Sequence, residues 1–234
     1  MSGHITKIVA SCEPRGQSEK VERLIQAAKE DGAQVLALLG DLGADGEIRE
    51  YAGLLKAVGR AGLPAFYVPG PGDAPFGKYL KEAHNTEVVF ASLHGVHGTF
   101  AFAPGYLLFA GMGGEISDDP RHEREEMERL SYPGWEVEYW LKTLRELKDY
   151  QKVFLFGTPP AHKGLREGGS ELLAELVKTY SPRLVLTGGD VFRQERLGTS
   201  LVVAPGRLSE GGYALIDLSE GEVEAKTLAM NSYS

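Results

Sequence analysis

Val35 to Gly46 reads VLALLGDLGADG: five consecutive apolar residues, then a glycine-rich loop that opens on Gly40 and Asp41. An uninterrupted apolar run of that length reads as a strand buried on both faces, as in parallel sheets covered by helices. After the loop, Ile48 to Val58 places Tyr51, Leu54, Leu55 and Val58 on one helical face. The same rhythm stands upstream, where Ile5 to Ala10 leads through a Pro/Gly loop to Val21, Leu24, Ile25 and Ala28 at helical spacing. It recurs downstream as a third strand at Ala65 to Val68. Ligands of such sheets lie beyond the carboxyl ends of the strands. Glu13 to Gly16, Gly40 to Gly46 and Gly70 to Asp73, each with a carboxylate and no histidine, lie at those ends.

The middle of the chain has another texture. Val88 to Ala91, Thr99 to Ala103 and Tyr106 to Ala110 read as short strands with close turns, as in antiparallel pairs. The highly charged stretch Ser117 to Arg129 reads as a solvated surface helix or mobile excursion. Pro133 then opens a longer helix with Val137, Trp140, Leu141, Leu144 and Leu147. The βα rhythm resumes at Val153 to Phe156, followed by GTPPAHKG, a helix with Leu172, Leu173, Leu176 and Val177, and a strand at Leu184 to Leu186. Leu201 to Val203, Tyr213 to Leu218 and Val223 to Leu228 complete the set around PGRLSEGG.

A chain of 234 residues is long enough for one large domain over residues 1–234. With 25 Lys and Arg against 33 Asp and Glu, its formal charge of −8 argues against nonspecific binding to nucleic acid or to an anionic membrane. Cys12 is the single cysteine, so neither a disulfide framework nor a cysteine-based zinc site can form within one chain. The N-terminus has too short an apolar stretch for a signal peptide, and no run approaches a membrane span of ~18 apolar residues. A soluble cytoplasmic protein is expected, with homo-oligomerisation left open.

Taken in order, ASCEPRG, LLGDLGADG, VPGPGDAP, FLFGTPP, LVLTGGDVF and LVVAPG resemble the successive motifs of the calcineurin-like metallophosphoesterases, as a divergent bacterial-type member would. The resemblance spans almost the whole chain and implies an α/β fold, a four-layer sandwich of two mixed sheets flanked by helices. In that family the loops read roughly DxH, GDxxDxG, GNHD, a histidine before a proline pair, and GHxH, and together hold two metal ions. Matched to those motifs, Glu13 takes an aspartate position and Arg15 a histidine position. Asp41 takes the place of the aspartate that bridges both metals, and Gly46 that of the closing glycine, while Ala44 replaces the intermediate aspartate. Pro71 and Gly72 replace asparagine and histidine before Asp73, Gly157 replaces histidine, and Asp190 and Phe192 occupy the two last histidine positions. Every histidine of the pattern is gone.

Two metals that clamp a phosphate and generate hydroxide need nitrogen and oxygen ligands from several loops. Glu13, Asp41, Asp190 and Asp73 supply oxygen alone. That set suits none or one hard cation such as Mg²⁺, Mn²⁺ or Ca²⁺. A full dinuclear centre is not expected. A second reading has the Arg15 guanidinium fill the vacancy, neutralising Glu13, Asp41 or Asp190 through bidentate hydrogen bonds. The pocket would then comprise Arg15, Gly40, Gly70, Gly72, Gly157 and Gly189 with the carboxylates.

Plainer roles compete with these. Asp73 before Ala-Pro is a good helix cap, the role favoured for it, and Asp190 in GGD fits a turn. His162 could reach back with Lys163 as acid, base or phosphate contact, against a place in a surface loop. The other histidines read as solvated, with His94 and His97 in a turn. Gly72 to Tyr79 mimics a nucleotide-binding P-loop, but Tyr79 replaces the hydroxyl residue that holds Mg²⁺. Cys12 reads as a small buried residue rather than a nucleophile. The favoured function is a catalytically weak or silent protein that binds a phosphate-bearing small molecule or partner. The alternative is an active phosphoesterase using one oxygen-ligated metal on a phosphomonoester or phosphodiester.

Overall fold

The computed structural model describes residues 4–43, 47–165 and 167–228. The readings placed on Ala44 and Gly46 lie outside the described residues.

The first repeat comprises β1 (Lys7–Cys12), α1 (Ser18–Glu30), β2 (Val35–Leu39), α2 (Ile48–Arg60), β3 (Ala65–Val68), α3 (Phe76–Glu87) and β4 (Leu93–Gly95). The middle contributes β5 (Thr99–Ala103), β6 (Leu107–Met112), β7 (Glu115–Ser117), β8 (Ser131–Pro133) and α4 (Gly134–Leu141). The chain continues with β9 (Gln151–Phe156), α5 (Glu171–Tyr180), β10 (Leu184–Thr187), β11 (Arg193–Leu197), β12 (Ser200–Ala204), β13 (Gly212–Asp217) and β14 (Glu222–Thr227). Among the described residues these strands form two six-stranded mixed sheets, ordered β14-β13-β1-β2-β3-β4 and β11-β12-β10-β9-β6-β5, and a small β7-β8 pair. The centres are parallel and the outer pairs β13/β14, β11/β12 and β5/β6 antiparallel.

Strand alternation sorts the apolar residues into layers. Ile8, Ala10 and Cys12 of β1 and Val35, Ala37 and Leu39 of β2 face the second sheet, meeting Phe109, Val153, Leu155, Leu184 and Leu186. Their neighbours Val9, Leu36 and Leu38 face α1 and α2. On the far side Phe154, Phe156 and Val185 face α4 and α5. The result is a four-layer α/β/β/α sandwich. Phe66 and Phe109 stack across its centre with centroids 3.8 Å apart. No described helix is long and apolar enough to cross a membrane.

Three stretches differ from expectation. Val88 to Ala91 is no strand: Val88 caps α3, and Val88 and Val89 stand exposed, so a β-branched run here ends a helix. Ser117 to Arg129 is neither helix nor free excursion. It folds back over the loops, with Leu130 N donating to Pro71 O at 3.0 Å and Phe76 N to Glu126 O at 2.8 Å. His94 lies within β4, not in a turn, and stacks on Phe66 at 5.2 Å.

Candidate functional site

The carboxyl ends of β1, β2 and β3 converge with those of β6, β9 and β10, and their loops enclose a cleft of about 380 Å³. Loops one and two are zipped together: Glu13 N donates to Leu39 O, Arg15 N to Asp41 O and Gly16 N to Leu42 O, at 2.9–3.0 Å. This pairing holds Glu13, Arg15 and Asp41 at φ of 47°, 47° and 40°. A left-handed backbone is disfavoured for residues bearing a Cβ by about 1 kcal/mol each, so the surrounding bonds must impose it.

The imposed backbone brings three charges together. Arg15 Nη2 donates to Glu13 Oε2 at 3.1 Å and stands 3.8 Å from Asp41 Oδ2. Arg207 Nε lies 2.9 Å from the same Glu13 oxygen. Asp41 Oδ1 accepts from Gly72 N at 2.7 Å. One terminal nitrogen of the guanidinium faces both carboxylates, hydrogen-bonded to Glu13 alone, in place of the expected bidentate fork, and Asp190 takes no part. Two arginines thus stand against these two carboxylates, and Arg207 also lies 3.5 Å from Glu210.

Of the expected site residues, Glu13, Arg15, Asp41, Gly72, Gly157 and Gly189 line this cleft together. Gly40 and Gly70 lie behind it. A Cβ on Gly70 would stand 2.0 Å from Asp41 N, so only glycine lets the loops approach this closely.

Three expected residues are elsewhere. Asp73 neither caps α3, whose N-cap Pro75 has no side-chain cap bond, nor lines the cleft. Fully buried, it accepts from Leu42 N, Gly43 N and Gly70 N at 2.9–3.0 Å, clasping loops two and three. Burial pushes its carboxyl up to about 7 against the pull of those amides. Asp190 is exposed and accepts from Val191 N, an ordinary turn. His162 stands 3.9 Å from Glu195 and accepts from Gly164 N, away from the cleft's lining.

Sequence reasoning missed Arg207 and also Glu128 and Arg129, which the folded-back stretch delivers to the rim, Arg129 pairing with Glu115 at 3.0 Å. Arg207 directly follows the glycine that ends LVVAPG, the one signal that could have marked it. His97, expected in solvent, is packed among Phe76, Tyr132 and Trp140, accepts from Gly113 N at 3.0 Å, and is pushed down to about 3 by burial and by the Arg124 charge. Cys12 closes the seam between the sheets, its thiol donating to Gly189 O and Gly206 O. Burial pushes that thiol up to about 12.

Among the described residues no three His, Cys, Asp or Glu side chains gather as metal ligands, and Glu13 and Asp41 both face Arg15.

A family model, metallophosphoesterase of the calcineurin superfamily, matches residues 44–228. The chain belongs to that superfamily. It is 46% identical to TT1561 of Thermus thermophilus, whose crystal structure superposes with a TM-score of 0.92 over 97% of this chain and 100% of that one. A dimetal phosphatase from Danio rerio is 10% identical, with a TM-score of 0.65 over 97% of this chain and 100% of that one. Purple acid phosphatase PPD1 of yellow lupin is 14% identical, at 0.55 over 95% of this chain and 53% of that one. These last two share the fold alone. No curated protein sequence matches the chain.

Proposed function

We propose that Arg15 stands where a metal ion stands in the dinuclear relatives, and that the cleft binds a phosphate-bearing ligand or partner with weak or no turnover. The observation that carries this is the position of Arg15 Nη2, 3.1 Å from Glu13 and 3.8 Å from Asp41. A guanidinium supplies positive charge between two carboxylates, as a metal would, but cannot exchange ligands or lower the pKa of a bound water. Its side chain is 47% exposed, which leaves donors free to meet an anion entering the cleft. Arg129 on the rim adds a second guanidinium.

The test is elemental metal content after saturation with Mn²⁺ and removal of loosely held ion, alongside calorimetric titration with inorganic phosphate. Wild-type protein is expected to keep no ion and to bind phosphate at least tenfold tighter than Arg15→Ala. The double variant Glu13→Asp/Arg15→His is expected to gain Mn²⁺. One retained ion in the wild type, with phosphoesterase turnover lost in Asp41→Asn, would replace this proposal with the single-metal enzyme.

A further inference from the structure

On the far side of the Gly70–Asp73 loop a second cleft of about 250 Å³ opens between α3, β3 and the start of β5. It shares no lining residue with the Arg15 cleft. Its floor is apolar, built from Tyr51, Tyr67 and Ala83, all buried, and Phe76 forms a wall. Leu80 stands 52% exposed at the mouth, beside His84.

One carboxylate faces this apolar space, with the imidazoles of His84 and His97 also in its lining. Glu87 Oε1 accepts from Tyr67 Oη at 2.6 Å and from Gly95 N at 2.7 Å. Gly95 makes room for it, since a Cβ there would stand 2.9 Å from that oxygen and 3.2 Å from the tyrosine ring. Both bonds fall on one oxygen, so Oε2 keeps its acceptor capacity. Among the described residues no Lys, Arg or His nitrogen forms an ion pair with Glu87. A carboxylate fixed in place beside aromatic walls, without a cation of its own, is complementary to an ammonium on an apolar body.

We propose that this cleft is a binding site for a small monoamine with one aromatic ring, its ammonium on Glu87 Oε2 and its ring against Tyr51, Tyr67 and Phe76. The same carboxylate repels a phosphate, so the site is separate in chemistry as well as position from the one proposed above.

The test compares benzylamine with its neutral isostere benzyl alcohol, by ¹H–¹⁵N NMR titration of the full chain. Benzylamine is expected to bind saturably and at least tenfold tighter than the alcohol, shifting the amides of Gly95 and Thr99. Glu87→Gln keeps an acceptor for Tyr67 and Gly95, and is expected to erase the tenfold preference. Thr99→Trp, at an exposed position on the mouth, is expected to abolish binding of both compounds with the fold intact. Equal affinity for the two compounds, a preference that survives Glu87→Gln, shifts confined to Glu13–Gly16, or no saturable binding would each overturn the proposal.

Discussion

The first sheet brings to the Arg15 cleft the charged side chains Glu13, Arg15 and Asp41, whereas the second brings Gly157, Gly188 and Gly189, which have none. Both halves lack the histidines of the family pattern, but they differ in the room they leave for a side chain. In the first half the replacement lies in side chains: Arg15 is half exposed, and a Cβ on Gly72 would meet only the tip of Asp41, at 3.1 Å. In the second half the main chain stands close to the glycines. A Cβ on Gly157 would stand 2.3 Å from Gly114 O, and one on Gly188 would stand 2.5 Å from Gly157 O. A histidine is therefore expected to be introduced at low cost only where no main chain stands in the way of its Cβ.

The largest test of this contrast is Gly157→His against Gly72→His. The first is expected to destabilise by about 3 kcal/mol or more, a fall in Tm of roughly 10 °C for a chain of this size, because two main chains must separate. The second is expected to stay within about 1 kcal/mol, since a carboxylate tip can turn aside. Equal melting temperatures would mean that the second half is as open to repair as the first.

A middle-sized effect falls on Asp73. Its replacement by Asn is expected to cost about 1–3 kcal/mol, as one amide group cannot accept from three N–H donors in place of a carboxylate. The pH dependence follows from the same group. The folded carboxyl titrates near 7 and the unfolded one near 3.8, so between those values the folded state binds more protons and stability falls as pH rises. His97 acts in the opposite sense. Its folded value near 3 lies below its unfolded 6.5, so from pH 3 to 6.5 the unfolded state binds more protons and stability rises with pH. Asp73→Asn is expected to remove the falling component, so that denaturant midpoints climb more steeply between pH 4 and 6.5 than in the wild type. An unchanged profile would show that Asp73 does not titrate there.

The smallest effect is expected at Arg15. Half-exposed ion pairs contribute about 0–1 kcal/mol, so Arg15→Ala is expected to melt within a few degrees of the wild type while changing what the cleft binds. A much larger loss would make the guanidinium a structural strut.

The layers were legible because buried parallel strands announce themselves as apolar runs, and the central strands β1, β2, β3, β9 and β10 all do so. β11 was not, because its RQERL is a charged, largely exposed edge strand, and β4 is three residues long. Val88 and Val89 have the composition of a strand but form the exposed turn that ends α3. A shared pocket for Glu13, Arg15 and Asp41 was expected from motif order, whereas the backbone pairing of their two loops was not. The fate of Asp73 did not, since a carboxylate that clasps amides and one that faces a cleft look identical in sequence. Arg129 was invisible because it reaches the rim only through the tertiary fold of a stretch without periodicity.

Cys12 turns the seam between the sheets into a built-in reporter. Its sulfur is shielded from solvent, ties loop one to Gly189 and Gly206, and is held far from thiolate form, so native protein should be inert to thiol reagents. Being the sole cysteine, it gives an uncluttered signal. The rate at which a chromogenic disulfide labels this chain therefore reports how often the core between the two sheets opens around Cys12, a clock for local opening that needs no engineered probe.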